Sequence, residues 1–194
     1  RTSLVFIIDK SNGKIKLRWG KDELSQQNCA TVAGNGNIVI FDNGWQTYGE
    51  GQGYSRVVEF SPAENKVVGG YEEDPPHFLF SSFLGSAQKL PNDNTLIVEG
   101  TTGRMMEVNN RGAMVWEYVN PHTCTSEKFG ENRYIFSARR YGLDYIGLRK
   151  FYGLEKDWMM WADLETNKSL KSTPVESEPS EEDMIRSRLE VLGY

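Results

Sequence analysis

Ten residues, Asn35-Gly-Asn-Ile-Val-Ile-Phe-Asp-Asn-Gly44, return in altered form as Asn92-Asp-Asn-Thr-Leu-Ile-Val-Glu-Gly100, and each copy is soon followed by an Arg, two apolar residues and a Glu. A repeat constrains architecture strongly, because each copy is one supersecondary unit that buries its apolar faces against its neighbours. The downstream halves agree too. Arg56-Val-Val-Glu-Phe60 leads into Lys66-Val-Val-Gly-Gly-Tyr71, and Arg104-Met-Met-Glu-Val108 into Ala113-Met-Val-Trp-Glu-Tyr118. The separation is 57 residues from Asn35 to Asn92 and 48 from Glu59 to Glu107, so the first unit carries 9 extra residues, which fall in the Gly-rich stretch from Trp45 to Gly53. A period of roughly 40 to 50 residues with about four strands is the blade of a β-propeller. A third, partial copy opens the chain, where Val5 to Trp19 reads as strand, turn and strand around Asn12-Gly13. The fold class is therefore all-β, with about three propeller blades and a short C-terminal helix. A β-sandwich with similar hairpins is the alternative.

With 194 residues, 38% of them hydrophobic, the chain can bury one substantial core, and no run of about 18 apolar residues predicts a membrane span. It opens on an Arg at the edge of a strand, so we expect a piece of a longer protein whose natural N-terminus and any signal peptide lie upstream. Propellers close with four to eight blades. Either partner blades precede this chain or an open half exposes sheet edges, which leaves a homo-oligomer open as a partner state.

Charge separates body from tail. Residues 1–154 hold 17 Lys and Arg against 17 Asp and Glu, whereas 155–194 hold 5 against 10, so the net charge of −5 belongs to the tail. Neither part carries the basic stripe of a nucleic-acid binder. Cys29 and Cys124 stand far apart without metal-ligand spacing, so no metal site is expected; free thiols and a single disulfide both remain open.

The organisation follows from these shifts: blades over 1–154, an acidic and polar linker over 155–180, and a helix over 181–194. Ser180 is placed to cap that helix, with Ile185, Leu189 and Leu192 on one face and Gly193 as its stop. Within the blades, the Asp42–Tyr54 loop holds Trp45 and Tyr48 and is a natural place for binding. Pro75-Pro76 breaks the sheet between units, and Tyr134-Ile-Phe136 predicts the start of a further strand.

The succession Phe41-Asp-Asn-Gly44, Ser55-Arg-Val-Val-Glu59, Ala87-Gln-Lys-Leu-Pro-Asn92, Asn94-Thr-Leu-Ile97, Gly103-Arg104, Glu107-Val108, Val115-Trp-Glu-Tyr-Val-Asn-Pro121 and Phe136-Ser-Ala-Arg-Arg-Tyr141 resembles the aryl-sulfate sulfotransferase (arylsulfotransferase) family. The match covers about residues 5 to 150. It implies a six-bladed propeller, of which this chain is the C-terminal half, in a periplasmic or extracellular enzyme. It also implies transfer of a sulfuryl group from a phenolic sulfate ester to a phenol through a histidine, with no cofactor. The partners so implied are small aromatic sulfate esters and phenols.

Sulfuryl transfer needs a nucleophile and donors around the equatorial oxygens, which makes His and Arg the natural tools. The chain has two histidines, His77 and His122, and these are the catalytic candidates; a nucleophile upstream of Arg1 stays open. Both follow proline at a blade junction, and each reads equally as a surface-loop histidine. Where similar proteins carry His-Asp before Asn-Gly-Asn, this chain has Asn28-Cys29. Asn28 can donate to a sulfate oxygen but cannot act as nucleophile or base. Arg139 and Arg140 alternate in direction along an extended chain, so one is a sulfate anchor. Asp42 and Asn43, at the end of a central strand, complete the substrate-binding candidates. Arg56 and Arg104 hold equivalent repeat positions, which argues for a shared structural task. Two further functions stay open: a catalytically silent propeller that binds an aromatic or anionic ligand or a protein, and a quinone-cofactor dehydrogenase, for which no cofactor motif is present.

Overall fold

The computed structural model describes residues 3–44, 53–128, 130–142 and 145–151. It divides into two compact units, 1–140 and 141–194.

Unit one is built from hairpins. A first hairpin pairs β1 (Val5–Ile8) with β2 (Ile15–Trp19). Blade 1 is a four-stranded antiparallel sheet of β3 (Asn28–Val32), β4 (Ile38–Asp42), β5 (Arg56–Ser61) and β6 (Lys66–Tyr71), each strand beside its chain neighbour. Blade 2 repeats the order with β7 (Ser86–Lys89), β8 (Thr95–Glu99), β9 (Arg104–Val108) and β10 (Met114–Val119). This up-and-down order in consecutive sheets is what propeller blades require. A small hairpin, β11 (Cys124–Ser126) with β12 (Gly130–Asn132), follows blade 2.

The repeat holds to single-residue register. Glu59 faces Gly69 across the β5–β6 ladder, and Glu107 faces Trp116 across β9–β10, with an irregularity in the ladder beside each pair. The turns are those the sequence dictates. Asn35 Oδ1 accepts from the Asn37 amide at 3.0 Å and Asn92 Oδ1 from the Asn94 amide at 3.2 Å, an Asx turn closing the first hairpin of each blade.

β4 is buried along its whole length because both its faces are covered. One face carries Val39 and Phe41, which join Val57, Leu79, Ala87, Ile97, Met106 and Val108 in a cluster between blades 1 and 2. The other carries Ile38 and Ile40, which pack with Val58, Phe60, Val5 and Leu24 beneath the opening hairpin. There Trp19 stacks on Phe60 with ring centroids 4.2 Å apart. The opening hairpin is thus laid against the outer face of blade 1 that Ile38 and Ile40 present. Gly85 is needed where the connector passes Phe41: its φ is +106°, and a Cβ would meet the ring at 2.5 Å.

One expectation fails in detail. The strand predicted from Tyr134 is extended backbone outside any ladder, held by single bonds from the Gly85 amide to the Phe136 carbonyl (3.2 Å) and from the Ile135 amide to the Gly100 carbonyl (2.9 Å). Next to it in sequence the chain forms a short helix, α1 (Ile146–Phe151), in unit two, where the Tyr141 and Tyr145 rings also meet at 4.4 Å. Trp45 and Tyr48, the 155–180 linker and the 181–194 helix lie outside the described residues.

Candidate functional site

The first strand of each blade, β3 or β7, forms one edge of its sheet, the two strands lie beside each other, and residues 135–140 continue that series beside β7. Sequence alignment of the three segments sets Thr31, Gln88 and Arg139 in one row and Val32, Lys89 and Arg140 in the next. Hydrogen bonds tie the series together. Thr31 Oγ1 donates to the Ala87 carbonyl at 3.1 Å, while Gln88 accepts from the Arg140 amide and donates to the Arg140 carbonyl, both at 2.9 Å.

Asp42 and Asn43 are fully buried at the end of β4. Asp42 Oδ1 accepts from the Ser25 amide at 2.7 Å, and Oδ2 accepts from Arg56 Nε at 3.2 Å. Burial raises the Asp42 carboxyl above the ordinary carboxylate range, and the Ser25 amide and Arg56 oppose that shift. Asn43 donates to the Ser81 carbonyl at 2.6 Å and to the Leu84 carbonyl at 2.8 Å, and it accepts from Asn28 Nδ2 at 3.0 Å. Asn28 and Asn43 therefore come together, while Asp42 turns to Ser25 and Arg56, and the polar atoms of Asp42 and Asn43 are turned into the protein.

The two arginines diverge, as alternation along an extended chain requires. Arg140 pairs with the buried carboxylate of Glu107 and lies over the Trp116 ring, 5.1 Å from its centroid. Arg139 points the other way and reaches Cys29 on β3, its Nη2 3.6 Å from Sγ. Among the described residues no carboxylate pairs with Arg139. Cys29 itself has φ +49° at the irregularity in the β3–β4 ladder. Both described cysteines are free thiols.

His77 sits in a short 3-10 turn, Pro76–Phe78, and meets the Phe78 ring edge-on at 4.8 Å. His122 follows β10, where its amide donates to Asn120 Oδ1 at 3.1 Å. Both are exposed and occupy connectors that leave the last strand of a blade. No described hydrogen bond joins either imidazole to Asn28, Asp42, Asn43 or the two arginines.

Arg56 and Arg104 share the expected task. Each pairs with the acid that ends the second strand of its own blade, Asp42 at 3.2 Å or Glu99 at 3.8 Å, and each also reaches a connector arriving from the previous unit. Arg56 donates to the Glu23 carbonyl at 2.7 Å, and Arg104 meets Glu73 at 3.7 Å. Sequence reading missed a second repeated pair. Glu59 accepts from Asn37 at 2.6 Å and faces Lys89 of the next blade at 3.8 Å, while Glu107 accepts from Asn94 at 2.6 Å and pairs with Arg140 one segment further on. The signal was present in the equivalence of Lys89 and Arg140. No group of His, Cys, Asp or Glu among the described residues is arranged to hold a metal ion.

Serial four-stranded blades joined by repeated ion pairs define a protein of the propeller-blade class. The family model for arylsulfotransferase (ASST) matches residues 2–121, more than half the chain, and the chain belongs to that family. No curated protein matches it. Among solved structures it is similar to a protein of unknown function from Bacteroides caccae, at 13% identity and a TM-score of 0.43 over 66% of this chain. The match takes in 44% of that protein, so this chain spans less than half its length.

Proposed function

We propose that this chain supplies part of the substrate-binding face of an extracytoplasmic arylsulfotransferase, with Arg139 as the anchor for the sulfate group of an aryl ester. The observation that carries this reading is the guanidinium of Arg139, exposed beside β3, touching a weak thiol acceptor and no described carboxylate. A guanidinium so placed offers a planar fork to two oxygens of a sulfate. Its neighbour Arg140 is neutralised by Glu107 and acts by holding the segment in place.

In the transfer step, an imidazole nitrogen attacks sulfur, the S–N bond forms, the ester S–O bond breaks and the phenolate leaves with its electron pair. The acceptor phenol then passes its proton to the departed phenolate or to solvent and attacks sulfur; the new S–O bond forms, the S–N bond breaks, and the imidazole takes back its electron pair. His77 and His122 are this chain's candidates for that role, and residues outside the chain share it as an alternative source.

The test measures turnover of 4-nitrophenyl sulfate with phenol as acceptor. Arg139→Gln is expected to raise KM by roughly ten- to a hundredfold, the size of a lost charge-assisted hydrogen bond. An unchanged KM removes Arg139 from the site, and unchanged turnover in the His77→Ala, His122→Ala double variant removes both histidines.

A second reading is ligand binding without transfer. It is favoured by the Asn28 amide, which stands where similar proteins carry histidine and donates to Asn43 and to the Leu84 carbonyl. Calorimetric binding of the aryl sulfate with no product release would select it.

A further inference from the structure

Between blades 1 and 2 lies a cavity of about 250 Å³. Val39, Val57 and Val68 on one side and Val108 on the other supply its apolar lining, and polar groups, the Glu59–Lys89 pair among them, supply the larger share. One blade on, the corresponding ladder position carries a large side chain. There Trp116 stands opposite Glu107 in the ladder and stacks on the Arg140 guanidinium, which pairs with Glu107. In blade 1 the residue opposite the equivalent glutamate is Gly69, which leaves the Glu59–Lys89 pair without an indole over it.

The backbone does not demand that glycine. A Cβ on Gly69 would meet Glu59 Oε2 at 3.9 Å and Glu59 Cβ at 4.0 Å, both ordinary contacts. Its neighbour Gly70 is different, since a Cβ there would lie 2.2 Å from the Val57 carbonyl oxygen. One glycine is required by close approach of the strands, and the other opens the cleft. Tyr71 completes the parallel: it stands two residues from Gly69, as Tyr118 does from Trp116, where the two rings are stacked at 5° with centroids 6.2 Å apart.

We propose that this cleft is a binding site for a neutral planar aromatic molecule of indole size that carries an N–H or O–H donor. The ring takes the place that Trp116 fills in blade 2, with the valines against its faces and edges, the Lys89 ammonium near its π-system and its donor directed to Glu59 Oε2. Since a cavity of about 150 Å³ holds benzene, one of about 250 Å³ has room for a second fused ring, and the polar part of its lining suits a ring that carries a donor. The Lys89 cation and the π-face attract one another. The site does not depend on the sulfuryl-transfer reading.

The probe is indole, titrated into the intact chain and followed by methyl NMR and calorimetry. One equivalent is expected to bind, with ring-current shifts at Val39, Val57, Val68 and Val108. Cyclohexanol and 1-methylindole should each bind at least tenfold more weakly. Gly69→Trp should abolish the binding without lowering the thermal midpoint, and Trp116→Gly should raise the stoichiometry from one to two. Lys89→Met tests the site independently of either fold-sensitive change and should weaken indole at least threefold. No shift at those valines, or indole affinity unchanged in Gly69→Trp or Lys89→Met, overturns the proposal.

Discussion

Asn28 and Asn43 share one acceptor: both side-chain amides donate to the Leu84 carbonyl, at 3.2 and 2.8 Å, and Asn28 also donates to Asn43 across 3.0 Å. Two amides and one carbonyl thereby clasp the first strand and the second strand of blade 1 to the connector that enters blade 2. Asn43 is fully buried and holds the Ser81 carbonyl as well, whereas Asn28 is half-buried. Asn43→Ala strands more buried partners than Asn28→Ala does. We expect a loss of about 3 kcal/mol for Asn43→Ala and about 1 kcal/mol for Asn28→Ala, the range for orphaned buried groups, measured by urea unfolding. Equal losses would show that the clasp does not work through Asn43.

The ion pairs that bridge successive units differ in environment. Glu107 is 6% exposed and pairs with Arg140, which is 41% exposed but lies over the Trp116 ring, whereas Glu59 and Lys89 stand 3.8 Å apart at 15% and 21% exposure. A hydrogen-bonded pair with a buried carboxylate and an aromatic face against its cation couples more strongly than a pair held 3.8 Å apart. Double-mutant cycles with Glu→Gln and Arg or Lys→Met are expected to give a coupling of about 2 kcal/mol for Glu107–Arg140 and under about 1 kcal/mol for Glu59–Lys89. The reverse order would assign the stronger bridge to the open cleft.

Acid should act on the same element. Burial alone would raise the Glu59 carboxyl, but the amides of Asn37 and Asn35 and the Lys89 ammonium outweigh it and hold its pKa below the ordinary glutamate value. A group depressed in the folded state stabilises the protein above its unfolded pKa of about 4.3, and that contribution fades as pH falls through the lower folded value. Glu59→Gln should therefore be less stable than the parent at neutral pH and lose less on acidification below pH about 4. Parallel stability curves for parent and variant would exclude Glu59 from the acid response.

Much of this fold is legible in the chain because the repeat carries its own register. Asn35-Gly-Asn37 and Asn92-Asp-Asn94 announce the same turn, and Arg56 and Arg104 the same ladder position, so blade order follows from sequence alone. The failure after Tyr134 is physical. A strand needs a partner on at least one side to form a ladder, and residues 135–140 meet β7 through the Ser86 and Gln88 side chains, with single backbone bonds to Gly85 and Gly100 beside it. The candidate site was only partly legible. Asn28 and Asn43 are bonded to one another, but which way Arg139 and Arg140 point depends on Glu107 and Trp116, which lie more than twenty residues upstream. The Gly69 cleft was hidden because a glycine in a strand reads as a weak spot until its counterpart in the next blade is found to be tryptophan.

The burial of β4 on both faces has a mechanical consequence. Ile38 and Ile40 are pinned by the opening hairpin and Val39 and Phe41 by the second blade, so the strand behaves as a keystone held between two voussoirs. Loosening either neighbour frees one row of its side chains and leaves the other row gripped. Disruption from either end is thus expected to stop at this strand, making it the last part of the unit to open when load or denaturant arrives from one side only.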